Sequence, residues 1–129
     1  MPTLFSKIIG GEIPCYKVHE NEDFIAFLDI EPVAIGHTLV VPKVEVDYLF
    51  DLDEKYLTSI NLFAKSVAQK LQKIVPCKRI GIAVIGLEVP HAHMHLVPLN
   101  QVGDINFSGG RLKLSHEDLT ALAEKLRNA

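Results

Sequence analysis

The hydrophobic positions of the chain follow a strand-like pattern first and a helical pattern afterwards. Three short segments rich in β-forming residues come after Pro14, within residues 15–20, 23–30 and 37–43, with turn-forming residues between them. Between residues 51 and 75, apolar side chains recur instead every three or four residues, which is the spacing of an amphipathic helix. The pattern predicts a three-stranded antiparallel meander followed by one long helix.

Shorter elements are predicted on each side of these. The segment TLFSKII, residues 3–9, predicts a short helix that ends at a Gly-Gly pair, and residues 79–86 and 91–97 predict two further strands joined by a turn near Gly86. The last fifteen residues predict a C-terminal helix, because Ser115 and Asp118 resemble a capping box. The expected fold class is α+β, an antiparallel five-stranded sheet with one long helix and a C-terminal helix.

Length and charge restrict the possible functions. The 129 residues contain no repeat and no linker-like stretch, so we expect a single domain over residues 1–129. A net charge of −3 argues against broad binding to nucleic acid or to anionic lipid, and no apolar run approaches the roughly 20 residues of a membrane span. Cys15 and Cys77 form no CxxC pair, which favours free thiols and a cytoplasmic location. We therefore expect neither a nucleic-acid nor a membrane partner.

Three of the six histidines fall within five residues of the segment HAHMHLV, at His91, His93 and His95. Alternate side chains of an extended chain lie on the same face, so the three imidazoles should face one side together. The intervening apolar side chains should face the other side and pack on the core, against the long helix. Packing alone gives no reason for three histidines on one face of a strand.

Three explanations compete for this histidine face. It could be a solvated strand that happens to be rich in histidine, or a metal site, because imidazole binds zinc, nickel and copper. A stable zinc site usually needs three or four converging ligands, and no second Cys/His pair supplies them. Imidazole also attacks phosphorus and acts as a general acid near neutral pH. The residues alone favour catalysis and leave the metal site open.

The segment HAHMHLV resembles the signature His-φ-His-φ-His-φ-φ, with φ apolar, of the histidine-triad (HIT) nucleotide hydrolases and transferases. The resemblance extends to the N-terminal half, which contains LF-x-KII-x-GEIP, an acidic turn, F-x-D-I and GH-x-LV-x-PK, and it covers about residues 4 to 99. It implies a HIT-like fold without a cofactor or metal, acting on a purine nucleotide or nucleotide conjugate. It also implies a homodimer joined through the long helix and an edge strand.

The resemblance assigns roles to four histidines. In the family, the middle histidine of the triad attacks the α-phosphorus and forms a covalent nucleotidyl-histidine that water hydrolyses, and the matching residue is His93. The third histidine, here His95, is implied to contact a phosphate oxygen and to assist charge stabilisation or proton transfer. His91 and His37 are implied to act in an orienting hydrogen-bond relay.

The same resemblance outlines a nucleotide pocket. Asp29 is implied to accept hydrogen bonds from the ribose hydroxyls, and we expect the backbone amides of Glu88 and Val89 to supply part of the phosphate site. The apolar base contacts implied by the LF-x-KI and F-x-D-I segments are Leu4, Phe5, Ile8, Phe27, Leu28 and Ile30.

Two segments of the chain depart from the family pattern. Many members have Gly-Gln-Ser/Thr-Val before the triad, whereas this chain has Gly-Leu-Glu-Val, and the carboxylate of Glu88 would repel a phosphate unless it is protonated or turned outward. Some relatives bind zinc with a CxxC where this chain has Thr3 and Ser6, which argues against a metal site. We therefore expect a hydrolase acting at the α-phosphate of phosphoramidate- or adenylate-type conjugates. The alternatives are a dinucleoside polyphosphate hydrolase and a catalytically weakened nucleotide-binding regulatory protein.

Overall fold

The protein folds as one five-stranded antiparallel sheet with three helices, as the hydrophobic pattern predicts. A computed structural model describes residues 2–129 of the chain. The strands lie in the order β1-β2-β3-β5-β4, so the predicted meander forms one half of the sheet and the last two strands extend it. The elements are α1 (Leu4–Ile9), β1 (Lys17–Glu20), β2 (Phe24–Leu28), β3 (Thr38–Pro42), α2 (Glu54–Ile74), β4 (Arg79–Ala83), β5 (Met94–Leu99) and α3 (His116–Arg127).

The central strands are buried on each face because different helices cover the two sides of the sheet. In β2, Phe24, Ala26 and Leu28 belong to the main hydrophobic core beneath α2 and α3. Ile25 and Phe27 point the other way, into a smaller cluster with Phe5 of α1. All five positions of β2 are therefore apolar, although only every second one faces the main core.

The long helix lies within the segment that its periodicity predicts and begins after Asp53. Leu49–Asp51 form a turn of 3-10 helix, and α2 begins only after Asp53, with Leu52 between them in an extended conformation. The apolar stripe that the spacing predicts lies against the sheet, and Val67 and Leu71 are fully buried there. Among residues 2–129, no helix is both long and apolar enough to cross a bilayer.

The last strand begins at Met94, so the prediction of a strand from residue 91 is wrong for its first three residues. The amide of His91 donates to the carbonyl of Val89, and the amide of Ala92 donates to the carbonyl of Val46, which lies in the loop after β3. These amides are bonded to loops and not to a neighbouring strand. His95 lies inside β5, and His91 and His93 precede the strand.

Candidate active site

Four histidines converge on the face of the sheet that α1 covers. The rings of His93 and His95 lie 4.9 Å apart, and those of His95 and His37 lie 5.2 Å apart. Phe5 of α1 packs edge-on against His93 at 5.0 Å and His91 at 5.9 Å. All four histidines are buried, and the most exposed of them retains 7% of its surface, so a solvated strand does not explain the cluster.

His93 has the tautomer that a nucleophile requires. Its Nδ1 lies 2.8 Å from the backbone carbonyl of His91, and because a carbonyl only accepts, the ring proton is on Nδ1. Nε2 therefore carries the free lone pair. Burial lowers the pKa of His93 below the ordinary histidine value and outweighs the carbonyl bond, which raises it. The imidazole is neutral and available for attack near pH 7.

His95 is prepared as a hydrogen-bond donor by a chain that starts at a backbone amide. The amide of Val33 donates to Nδ1 of His37 over 3.1 Å, so His37 carries its proton on Nε2 and donates to Nδ1 of His95 over 2.9 Å. His95 must then hold its own proton on Nε2. Burial is the main cause that lowers the pKa of His37 to about 4 and that of His95 to about 3, so each ring is neutral.

His91 supports the nucleophile from behind. Its Nε2 donates to the carbonyl of Pro42 over 2.8 Å, and its Nδ1 lies 2.9 Å from the hydroxyl of Thr3. The side chain is completely buried. The two contacts of its ring hold His91, whose backbone carbonyl accepts the Nδ1 proton of His93.

A cavity of about 730 Å³ opens in front of His93 and His95. Its wall includes α1, the end of β2, the loop between β4 and β5, and the segment before α3. Phe5 and Phe27 form an aromatic pair on this wall, with ring centres 5.6 Å apart. The predicted nucleotide-binding residues that line the cavity are Leu4, Phe5, Ile8, Phe27, Leu28, Asp29, Ile30, Glu88 and Val89.

The nine predicted contacts are not equivalent. Leu4 and Ile30 are 48% and 63% exposed at the mouth of the cavity, where a bound base could cover them. Leu28 borders the cavity, but it belongs to the main core on the opposite face of the sheet. Glu88 is exposed, and its charge is close enough to His93 to raise the pKa of that ring slightly.

Asp29 lies at the inner end of the cavity with one oxygen still available. Its Oδ1 accepts from the amide of Glu31 at 2.8 Å, and its Oδ2 lies 3.8 Å from Nε2 of His37 and 4.0 Å from Arg111. Burial raises the pKa of Asp29, more than the Glu31 amide and Arg111 lower it. Oδ2 is placed to accept hydrogen bonds from hydroxyl groups of a ligand.

Asp29, His37 and His95 also bring three potential metal ligands within 4.8 Å of one another. However, Nε2 of His37 and Nδ1 of His95 are hydrogen-bonded to each other at 2.9 Å, and Nδ1 of His37 accepts from the amide of Val33. An ion at this position would have to displace the proton that fixes the tautomer of His95. The donor set suits proton placement better than metal coordination.

Sequence reasoning missed two residues of the site, Phe107 and Arg111. The ring of Phe107 lies 4.7 Å from His95 and 5.6 Å from His37, and it covers the histidine pair. Arg111 lies 5.7 Å from the Phe107 ring, donates to the carbonyl of Glu31 over 2.9 Å and brings a positive charge to the cavity wall. They lie in a segment without helix or strand periodicity, where an aromatic and a cation around two glycines are the only signal.

Comparisons with known proteins agree with this geometry. A model of the HIT domain matches residues 10–102. The chain is 34% identical, over 95% of its length and 94% of the other's, to an uncharacterized HIT-like protein of Borreliella burgdorferi. It is 39% identical to the adenosine 5'-monophosphoramidase HNT1 of Saccharomyces cerevisiae, over 74% of this chain and 61% of the yeast protein.

The fold is also similar to that of solved HIT-family structures. A crystal structure of a Hit-like protein involved in cell-cycle regulation from Bartonella henselae superimposes with a TM-score of 0.84. The superposition covers 98% of this chain and 94% of that one, at 31% identity. The chain therefore belongs to the HIT family.

Proposed function

We propose that the protein hydrolyses purine nucleotide conjugates at the α-phosphate, with nucleoside phosphoramidates or adenylates as its substrates. The observation that carries this proposal is the free Nε2 lone pair of a neutral, buried His93 in the wall of a cavity, beside a second neutral imidazole. A cavity of about 730 Å³ is within the range of small-ligand sites. The name of the yeast relative, a monophosphoramidase, supports the choice of conjugate.

In the first step, Nε2 of His93 forms a bond to the α-phosphorus while the bond from phosphorus to the leaving nitrogen or oxygen breaks. The electron pair of that bond leaves with the departing group, which takes a proton from solvent. The positive charge that develops on His93 is stabilised by the carbonyl of His91, which already accepts its Nδ1 proton. Nε2–H of His95 donates to a phosphoryl oxygen as charge redistributes.

In the second step, a water molecule attacks the phosphorus and the bond to Nε2 of His93 breaks. The imidazole regains its lone pair, the water releases one proton to solvent, and the nucleoside monophosphate is free to leave. Asp29 accepts hydrogen bonds from the ribose through Oδ2, and the pair of Phe5 and Phe27 contacts the base. Arg111 offsets part of the negative charge of the phosphate.

A substrate panel tests the proposal. The protein is incubated separately with adenosine 5'-phosphoramidate, its guanosine equivalent and diadenosine tetraphosphate, and release of the monophosphate is followed. We expect the phosphoramidates to be hydrolysed with a higher kcat/KM than the tetraphosphate. The reverse order would support a dinucleoside polyphosphate hydrolase. Binding of AMP without turnover of any conjugate would point instead to the regulatory protein, with Glu88 as the first residue to replace.

We also propose that the protein is a homodimer joined through α2 and β4. β4 is an edge strand of the sheet, and Ile82 on it is 55% exposed. An apolar groove runs between this strand and α2, and Leu62 of the same helix is 69% exposed. An exposed edge strand next to an apolar surface favours pairing with a second chain.

Replacing Ile82 with glutamate should convert the dimer to a monomer, because a charge would be buried at the centre of the contact. Light scattering coupled to size-exclusion chromatography measures the mass in solution. Val102→Glu is the matched control, since Val102 is 90% exposed and lies outside α2 and β4. A monomeric wild type, or an Ile82→Glu variant that stays dimeric, would contradict the proposed interface.

A further inference from the structure

A second set of side chains connects the rear of the active site with the protein surface. Glu45 is an exposed residue in the loop after β3, and its Oε1 accepts from the hydroxyl of Ser6 and, over 3.2 Å, from the amide of Thr3. The hydroxyl of Thr3 lies 3.0 Å from that of Ser6 and 2.9 Å from Nδ1 of His91. These four residues form one continuous hydrogen-bonded chain, from here on the rear relay.

The rear relay ends at His91, whose backbone contacts the proposed nucleophile, His93. The ring of His91 is fixed at its far side by the carbonyl of Pro42, and the backbone carbonyl of the same residue accepts the Nδ1 proton of His93. The contacts at both ring nitrogens hold His91, and with it this carbonyl, in place. Among residues 2–129, the cavity wall includes none of Thr3, Ser6 and Glu45, so the relay acts on the catalytic histidines and not on the nucleotide.

The direction of the protons follows from the acceptors at the two ends of the rear relay. A carboxylate only accepts, so the Ser6 hydroxyl donates to Glu45. Nε2 of His91 carries the ring proton that the carbonyl of Pro42 accepts, so Nδ1 of the neutral ring accepts, and the single hydroxyl proton of Thr3 points to it. The hydroxyl oxygen of Thr3 accepts from the amide of Ser6, so the start of α1, which Glu45 holds, sets the position of the Thr3 hydroxyl against His91.

We propose that Glu45 is a positioning residue of the nucleophile, acting through Ser6 and Thr3 on His91. This inference rests on the proposed function, because it concerns the same attack by His93. The carboxylate anchors the relay by accepting from two donors that belong to the start of α1. It thereby ties the loop after β3 to α1 and keeps the His91 ring, and the carbonyl behind His93, in one orientation.

Kinetics of matched variants test the proposal. Glu45→Gln and Ser6→Ala should each lower kcat about tenfold, as expected for losing one charge-assisted hydrogen bond, and should leave KM within about twofold because neither side chain reaches the nucleotide. Asp47→Asn removes the same charge from an exposed position two residues further along the loop and should leave kcat unchanged. Wild-type kcat in Glu45→Gln and Ser6→Ala would overturn the proposal.

Two variants of Thr3 separate the hydroxyl from packing. Thr3→Val keeps the shape and removes the hydroxyl, whereas Thr3→Ser keeps the hydroxyl and removes a methyl group. We expect Thr3→Ser to recover most of the kcat that Thr3→Val loses. Thr3 also caps α1, by accepting from the amide of Ser6 over 3.0 Å, so loss of the cap alone would mainly raise KM through the residues of α1 on the cavity wall. Equal kcat in the two variants would contradict a hydroxyl relay.

The nitrogen chemical shift of His91 gives a test that does not depend on turnover. In the protein without nucleotide, Glu45→Gln should shift the Nδ1 resonance of His91, and Asp47→Asn should leave it in place. An unchanged Nδ1 shift in Glu45→Gln overturns the relay even if the wild type is active. If Glu45→Gln shifts the Nδ1 resonance of His91 while the wild type turns over no conjugate, the relay is supported and the proposed function is overturned.

Discussion

Replacing His93 with alanine should lower the hydrolysis of adenosine 5'-phosphoramidate by roughly 10⁴-fold or more, the scale seen when a nucleophile is removed. The reason is the placement of the ring. His93 presents an Nε2 lone pair to the cavity, while His95 beside it presents an N–H. His95 cannot take over the attack without losing the proton arrangement that His37 imposes. The cavity should remain, so AMP should still bind.

The covalent intermediate provides the direct measurement for this variant. Quenching with denaturant at alkaline pH during turnover preserves the P–N bond of the adduct, which acid would hydrolyse. Mass spectrometry of the peptide that contains residue 93 should then reveal one nucleotidyl group in the wild type and none in His93→Ala. His19→Ala is the matched control, because His19 stacks on Phe63 at the opposite side of the sheet. Turnover of His93→Ala within tenfold of wild type, or an adduct on another histidine, would contradict the assignment of the nucleophile.

Acidification should destabilise the fold through His37 and His95 before either ring takes up a proton in the folded protein. The folded protein holds the pKa of His37 near 4, whereas an unfolded histidine takes up a proton near pH 6.5. The neutral ring of His37 therefore makes its full contribution to the free energy of unfolding above pH 6.5. That contribution is lost as the pH falls toward 4, because the unfolded chain gains a proton that the folded chain does not. For His37 alone the loss is on the order of 3 kcal/mol of unfolding free energy, at about 1.4 kcal/mol for each pH unit.

Urea denaturation at a series of pH values between 7.5 and 4 measures this effect. Other acidic and basic groups also titrate in that range, so the comparison that matters is with His37→Gln, whose amide does not titrate. Its unfolding free energy should fall less steeply between pH 7.5 and 4, because the variant takes up about one proton fewer on unfolding than the wild type does. An identical slope in the two proteins would mean that His37 already takes up its proton in the folded state.

The fold was predictable because its elements have clear periodicity. The apolar spacing of α2 and the β-rich segments of the meander are local signals, and the structure confirms the antiparallel five-stranded sheet with its helices. The start of β5 was not predictable in the same way. Alternation places His91 and His93 on one face, but it does not reveal that the amide of Ala92 between them bonds to Val46, in a loop remote in sequence. Strand bounds depend on partners that are distant along the chain.

The site was predictable where a motif carries it and not elsewhere. Alternation within β2 could have separated Phe27 from Leu28, which lies on the opposite face of the sheet. Phe107 and Arg111 carry no periodic signal, because the segment that contains them has no regular structure. The hydroxyls of Thr3 and Ser6 look like ordinary helix-start residues in the sequence. The contact of the Thr3 hydroxyl with His91 depends on the packing of α1 against the triad, 88 positions away.

The proton arrangement of His37 and His95 originates in the main chain. Because the amide of Val33 fixes His37, and His37 fixes His95, the hydrogen-bond donor at position 33 does not depend on the side chain. Eighteen of the nineteen possible replacements keep this donor, and only proline, which has no amide proton, would release the tautomers. The position can look freely variable among relatives while one residue type remains forbidden there.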